Sequence, residues 1–274
     1  MSKNVVVIPI YRAQLDEAEA HSIRQVSVVL AKHDIYFVGP HHLSDFLSQL
    51  VAQVDKKIRV KTFPNRYFES IAGYNSLMLS MRFYQAFDRY QYMLLAQTDS
   101  FVFFDRLEDW AARGYSYIGA PWFEGYTTPT QPLRFTAVGN GGFSLRSVAD
   151  FTRVLSRPRV FRNVLMDGWP GNFLSNTYRF FKDYWSFAYR NIHLNVKVNE
   201  DLFWGLFVPK ACTDFRVPPP EEAIAFAFEA NPEYSYGLNE EQLPFGCHAW
   251  QRYSPEFWKA IFSKHGITYP VKNQ

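Results

Sequence analysis

Apolar and polar residues alternate in blocks along the first hundred positions. The β-branched run in "NVVVIPIY" ends at Pro9, a pattern that suits a central parallel strand. From about Asp16 to Lys32, the residues Ala18, Ile23, Val26, Val29 and Leu30 recur at helical spacing. "IYFVGP" predicts a second strand, "HLSDFLSQLVAQV" a second helix and "IRVKTF" a third strand. A long helix is expected from about Ser70 to Phe87, carrying Leu77, Leu79, Phe83 and Phe87. It runs into a fourth strand, about Tyr92 to Ala96. Strands alternating with helices predict βαβ units and a mainly parallel sheet.

The second half is less regular. "RLEDWAARG" predicts a short helix stopped by Gly114, and "YSYIGAPWF" a strand. "FTAVGNGGFSLRS" places three glycines around an asparagine, followed by a strand and a helix beginning near Ser147. "NTYRFFKDYWSFAYR" is aromatic and basic without a clean period, and "NEDLFWGLFVP" sets two carboxylates at a helix start. With no internal repeat and no Pro/Gly/Ser linker, the expectation is one domain over 1–274, its halves dividing near residue 105.

Composition narrows the function classes. The chain of 274 residues has 47% hydrophobic and 20% charged residues, which is globular and not disordered. Its net charge of +3 is dispersed, with no Lys/Arg block of the kind nucleic-acid binding uses. The aromatic share of 18% is high; part of it must fill cores, but sugar-handling clefts also use aromatic rings. Cys212 and Cys247 form no C-x-x-C pair, so free thiols in a reducing compartment are expected. No apolar stretch approaches the ~18 residues of a membrane span, and the N-terminus lacks a signal-peptide pattern. A soluble cytoplasmic protein is the expectation; the basic-aromatic segment either packs its aromatic face on the core as a helix, lines a binding cleft, or makes peripheral contact at the inner membrane face.

Candidate chemistry starts at "LLAQTDSFVFF", where Gln97-Thr98-Asp99 interrupts an apolar run. A buried, unpaired carboxylate there would protonate rather than stay charged. Either the strand ends at Gln97 and Asp99 serves a turn, or Asp99 meets a cation. In open α/β sheets ligands bind beyond the carboxyl ends of strands, which is where the alternation puts Asp99. His248 in "PFGCHAW" is either a satisfied core histidine or a ligand. Glu200 and Asp201 are either the acidic first turn of a helix or catalytic groups. "GNGGFSLR" is either a bulged hairpin or a site wall.

"MLLAQTDSFVF", "YIGAPW", "GNGGFSLR", "NEDLFW" and "LPFGCHAW" together resemble an uncharacterised glycosyltransferase-like family of mainly bacterial proteins. More widely, they are similar to inverting GT-A-fold glycosyltransferases of the galactosyltransferase and Fringe type. The resemblance implies a single α/β domain. Its Rossmann-like half, about 1–105, would bind a nucleotide-sugar, and its remainder, about 106–274, would form the acceptor side. It implies that Gln97 and Asp99 stand where those enzymes have D-x-D, with Asp99 and His248 ligating Mn²⁺ or Mg²⁺ on the diphosphate of a UDP- or GDP-linked donor. Gly141, Gly142, Ser144 and Glu200 would build the acceptor side, and Asp201, or failing it Glu200, would be the general base. Gln97 departs from the pattern, being neutral where a carboxylate is usual, so metal affinity without nucleotide is expected to be weak.

In that fold the loop after the first strand, "PIYRA", holds the nucleotide. Tyr11 would stack on the base and Arg12 reach a phosphate, or else Tyr11 packs and Arg12 is solvated. The competing functions are a non-catalytic nucleotide- or glycan-binding protein on the same fold, and a metal-dependent phosphohydrolase or nucleotidyltransferase. The last is disfavoured because Asp99 has no close acidic neighbour in sequence but Asp105, whereas such sites cluster carboxylates.

Overall fold

The computed structural model describes residues 3–156 and 199–269. The basic-aromatic segment 176–190 lies outside the described residues. Four strands, β1 (Asn4–Pro9), β2 (Asp34–Pro40), β3 (Arg59–Phe63) and β4 (Tyr92–Ala96), run parallel in the order β3-β2-β1-β4. β9 (Phe143–Ser147) joins β4 antiparallel, and β6 (Tyr117–Ile118) pairs with β9 at the edge. This is the expected α/β architecture with a mainly parallel central sheet.

The unbroken apolar character of β1 follows from its place in the middle of that sheet. Val5 and Val7 face one buried cluster with Leu77, Phe83, Phe151 and Trp204, while Val6 and Ile8 face another with Ile23, Val26, Leu47 and Phe143. Successive side chains on a strand point to opposite faces, so both faces need apolar residues. The second face is covered by α1 (Glu17–Val29) and α2 (Ser44–Val54); burying Ile23 and Val26 of α1 contributes about 1.5–3 kcal/mol each. α1 starts with a reciprocal cap in which the Glu19 N–H donates to Asp16 Oδ1 at 2.8 Å and the Asp16 N–H donates to Glu19 Oε2 at 2.9 Å.

The single helix expected over 70–87 is two, α3 (Ile71–Met78) and α4 (Met81–Gln85). Ser80 between them is extended (φ −96°, ψ 127°). The break leaves the Met78 carbonyl to accept the Tyr84 hydroxyl at 2.8 Å in the core, a tertiary bond that the apolar spacing alone does not reveal. The expected strand over 115–123 is likewise divided into β6 and β7 (Pro121–Phe123), the latter paired with β8 (Phe135–Val138). Gly119 lies at the division because a Cβ there would sit 1.4 Å from the Gly139 carbonyl oxygen.

A second small sheet carries the far side of the site. β5 (Ser100–Val102) pairs antiparallel with β11 (Gly246–His248), which pairs with β10 (Ala227–Phe228). It packs on Phe101, Trp250, Trp258 and Phe262. The chain therefore leaves the large sheet at Ala96 and enters the small one at Ser100, and Gln97-Thr98-Asp99 forms the junction. No helix among the described residues is long and apolar enough to cross a membrane.

Candidate active site

Register brings the C-terminal histidine to the junction. His248 pairs with Ser100 across the small sheet, and the Ala249 N–H donates to the Asp99 carbonyl at 3.0 Å. His248 Nε2 lies 3.3 Å from Asp99 Oδ1 and 3.3 Å from Gln97 Oε1. On the other side of the ring, Nδ1 lies 2.8 Å from Oε1 of Glu229, a buried carboxylate that follows β10. The Ser100 N–H closes a turn onto the Gln97 carbonyl at 2.9 Å, and the Asp99 side chain faces an imidazole.

The charges follow from this arrangement. Burial works against a protonated His248, but Asp99 and Glu229 outweigh it and push its pKa up to about 10. Burial raises the Asp99 carboxyl, yet the imidazolium and Arg12 more than offset this and hold it below the ordinary carboxylate range. Arg12 and Tyr11 sit on the loop after β1. The Arg12 guanidinium is half exposed and 2.8 Å from Glu19 Oε2, while the other oxygen of Glu19 accepts the Thr98 hydroxyl at 2.8 Å. The capping glutamate of α1 thereby ties the β1 loop to the β4 junction. Tyr11 remains 47% exposed.

The glycine strand forms the adjoining wall. Asn140 takes a left-handed φ of +76°, and its Oδ1 accepts the N–H groups of Gly142 (3.0 Å) and Phe143 (3.2 Å). The Gly142 carbonyl in turn accepts the Gln97 N–H at 2.7 Å. Both glycines are needed for close approach. A Cβ on Gly142 would lie 2.0 Å from His248 Nε2, and one on Gly141 would lie 2.3 Å from Glu200 Oε1. Consecutive Cα atoms being 3.8 Å apart, the Glu200 carboxylate and the His248 ring are no more than about 11 Å from each other.

Glu200 and Asp201 open the helical segment that begins at Glu200, and Asn199 occupies the cap position. Glu200 is 3% exposed and accepts Arg146 Nη2 at 2.8 Å; Arg146 itself is fully buried. Arg146 also donates to the Tyr84 hydroxyl (3.0 Å) and, through Nε, to Ser144 Oγ (3.0 Å). Burial and Asp201 raise the Glu200 carboxyl while Arg146 pulls it down; Arg146 is held protonated by Glu200 against its own burial. The 2.8 Å contact decides for the charged pair, because a buried guanidinium keeps its proton and needs a carboxylate. Glu200 Oε2 has no hydrogen-bond partner among the described residues. Asp201 accepts the Leu202 N–H at 2.8 Å and the Gly141 N–H at 3.3 Å. Burial and the Glu229 charge nonetheless raise its pKa above the aspartate value.

Asp99, Gln97, His248, Gly141, Gly142, Glu200 and Asp201 are thus brought to one region, with Tyr11 and Arg12 at its β1 side. Ser144 belongs to the buried Arg146 network. Asn75 accepts the Glu200 N–H through Oδ1 at 3.3 Å, and Arg82 is exposed. The sequence reasoning missed Glu229, Arg146 and Glu19. Glu229 carries the signal that marked Asp99, a carboxylate after the apolar run "IAFAF"; Arg146 is a charge inside a strand that is otherwise wholly buried.

The sequence matches, over residues 57–248, the model of a family described as protein of unknown function (DUF5672). No curated protein matches it. Among solved structures the chain is similar to galactosyltransferase LgtC in complex with donor and acceptor sugar analogs, at 12% identity and a TM-score of 0.48 over 98% of each chain. It is similar to apo mouse xyloside xylosyltransferase 1, at 11% identity and a TM-score of 0.47 over 89% of this chain and 96% of that one. A 4-diphosphocytidyl-2C-methyl-D-erythritol synthase from Anaerococcus prevotii DSM 20548 is similar at 12% identity and a TM-score of 0.37, over 65% of this chain and 82% of that one. Likeness at these scores assigns neither reaction nor substrate.

Proposed function

The chain belongs to the DUF5672 family, whose description leaves the reaction open, and we propose that it is a nucleotide-sugar-dependent glycosyltransferase of GT-A-like organisation. The observation that carries this reading is the convergence of Asp99, Gln97 and His248 Nε2 at the carboxyl end of β4, with Asp201 on the adjoining glycine wall. Tyr11, exposed beside Arg12, would stack on the base, and Arg12, set by Glu19, would meet a phosphate.

The donor set suits a hard divalent cation such as Mn²⁺ or Mg²⁺: one carboxylate, one amide oxygen and, once the cation displaces the proton of His248 Nε2, one imidazole. A buried carboxylate anchoring the remote ring nitrogen, as Glu229 does, is the usual companion of a metal-ligating histidine. No group of three or more His, Cys, Asp or Glu side chains suited to a metal occurs among the described residues, so Asp99 and His248 would hold it with Gln97 and the donor's phosphate oxygens. When bound, the cation would stabilise the charge that develops on the leaving diphosphate.

Asp201 would act as general base. As the acceptor oxygen bonds to the anomeric carbon and the bond to the diphosphate breaks, the hydroxyl proton passes to Asp201. One base and no carboxylate nucleophile is the inverting arrangement. Its raised pKa makes it a stronger base than a free aspartate. Glu200, enclosed and paired with Arg146, would position Asp201 and the glycine strand.

A second reading, a nucleotide- or glycan-binding protein without catalysis, draws on the protonated His248, which already supplies a positive charge beside Asp99. Calorimetric titration with UDP and GDP, with and without Mn²⁺, on wild type, Asp99→Ala and His248→Ala tests the metal assignment. Mn²⁺ should tighten nucleotide binding in wild type and in neither variant. Unchanged metal dependence in Asp99→Ala would remove Asp99 from the site.

A further inference from the structure

One exposed aromatic side chain is held where an aromatic residue rarely sits. Tyr126 has φ +49°, directly after Gly125 at φ +84°. Left-handed backbone at a bulky residue is strained and persists only where surrounding contacts over-determine it. Here they do. The Tyr126 N–H donates to the Phe123 carbonyl at 2.9 Å, and the Asn231 amide donates to the Tyr126 carbonyl at 2.6 Å. Asn231 is itself left-handed (φ +56°). Yet Tyr126 remains 40% exposed, so burying its ring is not what holds this conformation in place.

The strain instead arranges three rings edge to face. Trp122 and Tyr126 have centroids 6.2 Å apart at 89°, and Tyr126 and Tyr253 are 6.5 Å apart at 82°. The two phenol oxygens are 3.3 Å apart, Arg252 lies over the Tyr253 ring, and Ser254 beside it is again left-handed (φ +50°). The group is tied to the candidate active site. Trp122 Nε1 donates to Glu229 Oε2 at 3.2 Å, and the other oxygen of that carboxylate holds His248. The Trp122 ring also covers Gly139 at the head of the glycine wall, where a Cβ would lie 2.0 Å from Cζ2. Burial, and then Glu229, Tyr253 and Asp201, raise the Tyr126 phenol.

We propose that Trp122, Tyr126 and Tyr253 form the acceptor subsite, and that the acceptor is a pyranose, the terminal sugar of a glycan, rather than a lipid or protein hydroxyl. Aromatic faces match the C–H-rich face of a pyranose. The phenol hydroxyls, Arg252 and the neighbouring carboxylates offer hydrogen-bond partners to its rim, which a lipid chain would leave unused. This deepens the glycosyltransferase reading and rests on it.

The probes are the methyl glycosides of glucose, galactose and N-acetylglucosamine, tested on the full chain with UDP present by saturation-transfer NMR and titration. Hydrolysis of nucleotide sugars without added saccharide is measured in parallel. At least one glycoside should bind wild type. Tyr126→Ala should weaken it tenfold or more, and Tyr253→Phe, which keeps the ring and loses the hydroxyl contact, should weaken it several-fold. If Tyr126→Ala does not fold, Tyr253→Phe decides. Hydrolysis without binding of any glycoside, or binding indifferent to both substitutions, would overturn the acceptor assignment and leave the transferase reading standing. Glycoside binding sensitive to both, without hydrolysis of any donor, would keep the sugar subsite and overturn the transferase reading.

Discussion

Asp99 and Asp201 are both carboxylates at the edge of an apolar interior, and their surroundings push them in opposite directions. The imidazolium of His248 and the Arg12 guanidinium hold Asp99 ionised against its burial, whereas burial and Glu229 leave Asp201 with a stronger hold on its proton. Groups set apart in this way are suited to different tasks. Asp201→Asn should lower transfer roughly 10²–10⁴-fold, the usual worth of a general base, with donor Kd nearly unchanged. The acid limb of the wild-type rate profile should lie above the ordinary aspartate range near 4, because the base works only when deprotonated and its folded pKa is raised. The linked stability has the same sign. Folded Asp201 binds its proton more tightly than the unfolded chain, so stability is full below the ordinary aspartate value and is lost as pH rises through the raised one. Asp201→Asn removes that loss and should not lower Tm at neutral pH; an acceptor serving only the helix start would instead cost about 1 kcal/mol on replacement. Arg146 makes a separate prediction. Arg146→Met strands a buried Glu200 charge and should destabilise by about 3–5 kcal/mol, while the double variant with Glu200→Gln should recover much of it, read from urea denaturation.

At the scale of elements, the site depends on a junction and a wall. β4 ends at Ala96 and β5 begins at Ser100 in another sheet, so Gln97 and Asp99 between them meet His248 while the buried Thr98 hydroxyl bonds Glu19. The wall works because two consecutive residues lack a Cβ. Gly142→Ala should fold with a reduced Tm, but its methyl would displace the His248 ring from Asp99 and weaken Mn²⁺-dependent UDP binding at least tenfold. In Gly119→Ala the clash is with a backbone carbonyl, at 1.4 Å, so that variant should lose soluble yield. Circular dichroism and the nucleotide titration on both proteins separate the two outcomes. Much at this scale was legible. The apolar runs of β1 and β4 and the spacing of Ile23 and Val26 need only periodicity, and both strands fall where the patterns place them. The break at Ser80 was not legible, since Leu77, Leu79, Phe83 and Phe87 continue the apolar pattern across it. It depends on Tyr84 finding the Met78 carbonyl through tertiary packing.

For the whole molecule, the order of motifs along the chain foreshadowed a grouping that the sheets then assemble. Asp99, Gly142, Asp201 and His248 are far apart in sequence, and no local rule joins them. The β4–β9 register and the β5–β11 pairing join Asp99, Gly142 and His248, and the hydrogen bond from the Gly141 N–H adds Asp201. What stayed hidden were the residues that hold others in place. Glu229, Arg146 and Glu19 act through partners 19, 54 and 79 positions away, which single-sequence patterning cannot connect. The central claim is that this arrangement turns over a nucleotide sugar, and the most direct test is hydrolysis of a panel of UDP- and GDP-sugars by the purified chain, with and without Mn²⁺. Slow release of nucleotide from at least one donor is expected, enhanced by Mn²⁺ and abolished in Asp99→Ala. Binding of nucleotide with no turnover of any donor, in either condition, would contradict it.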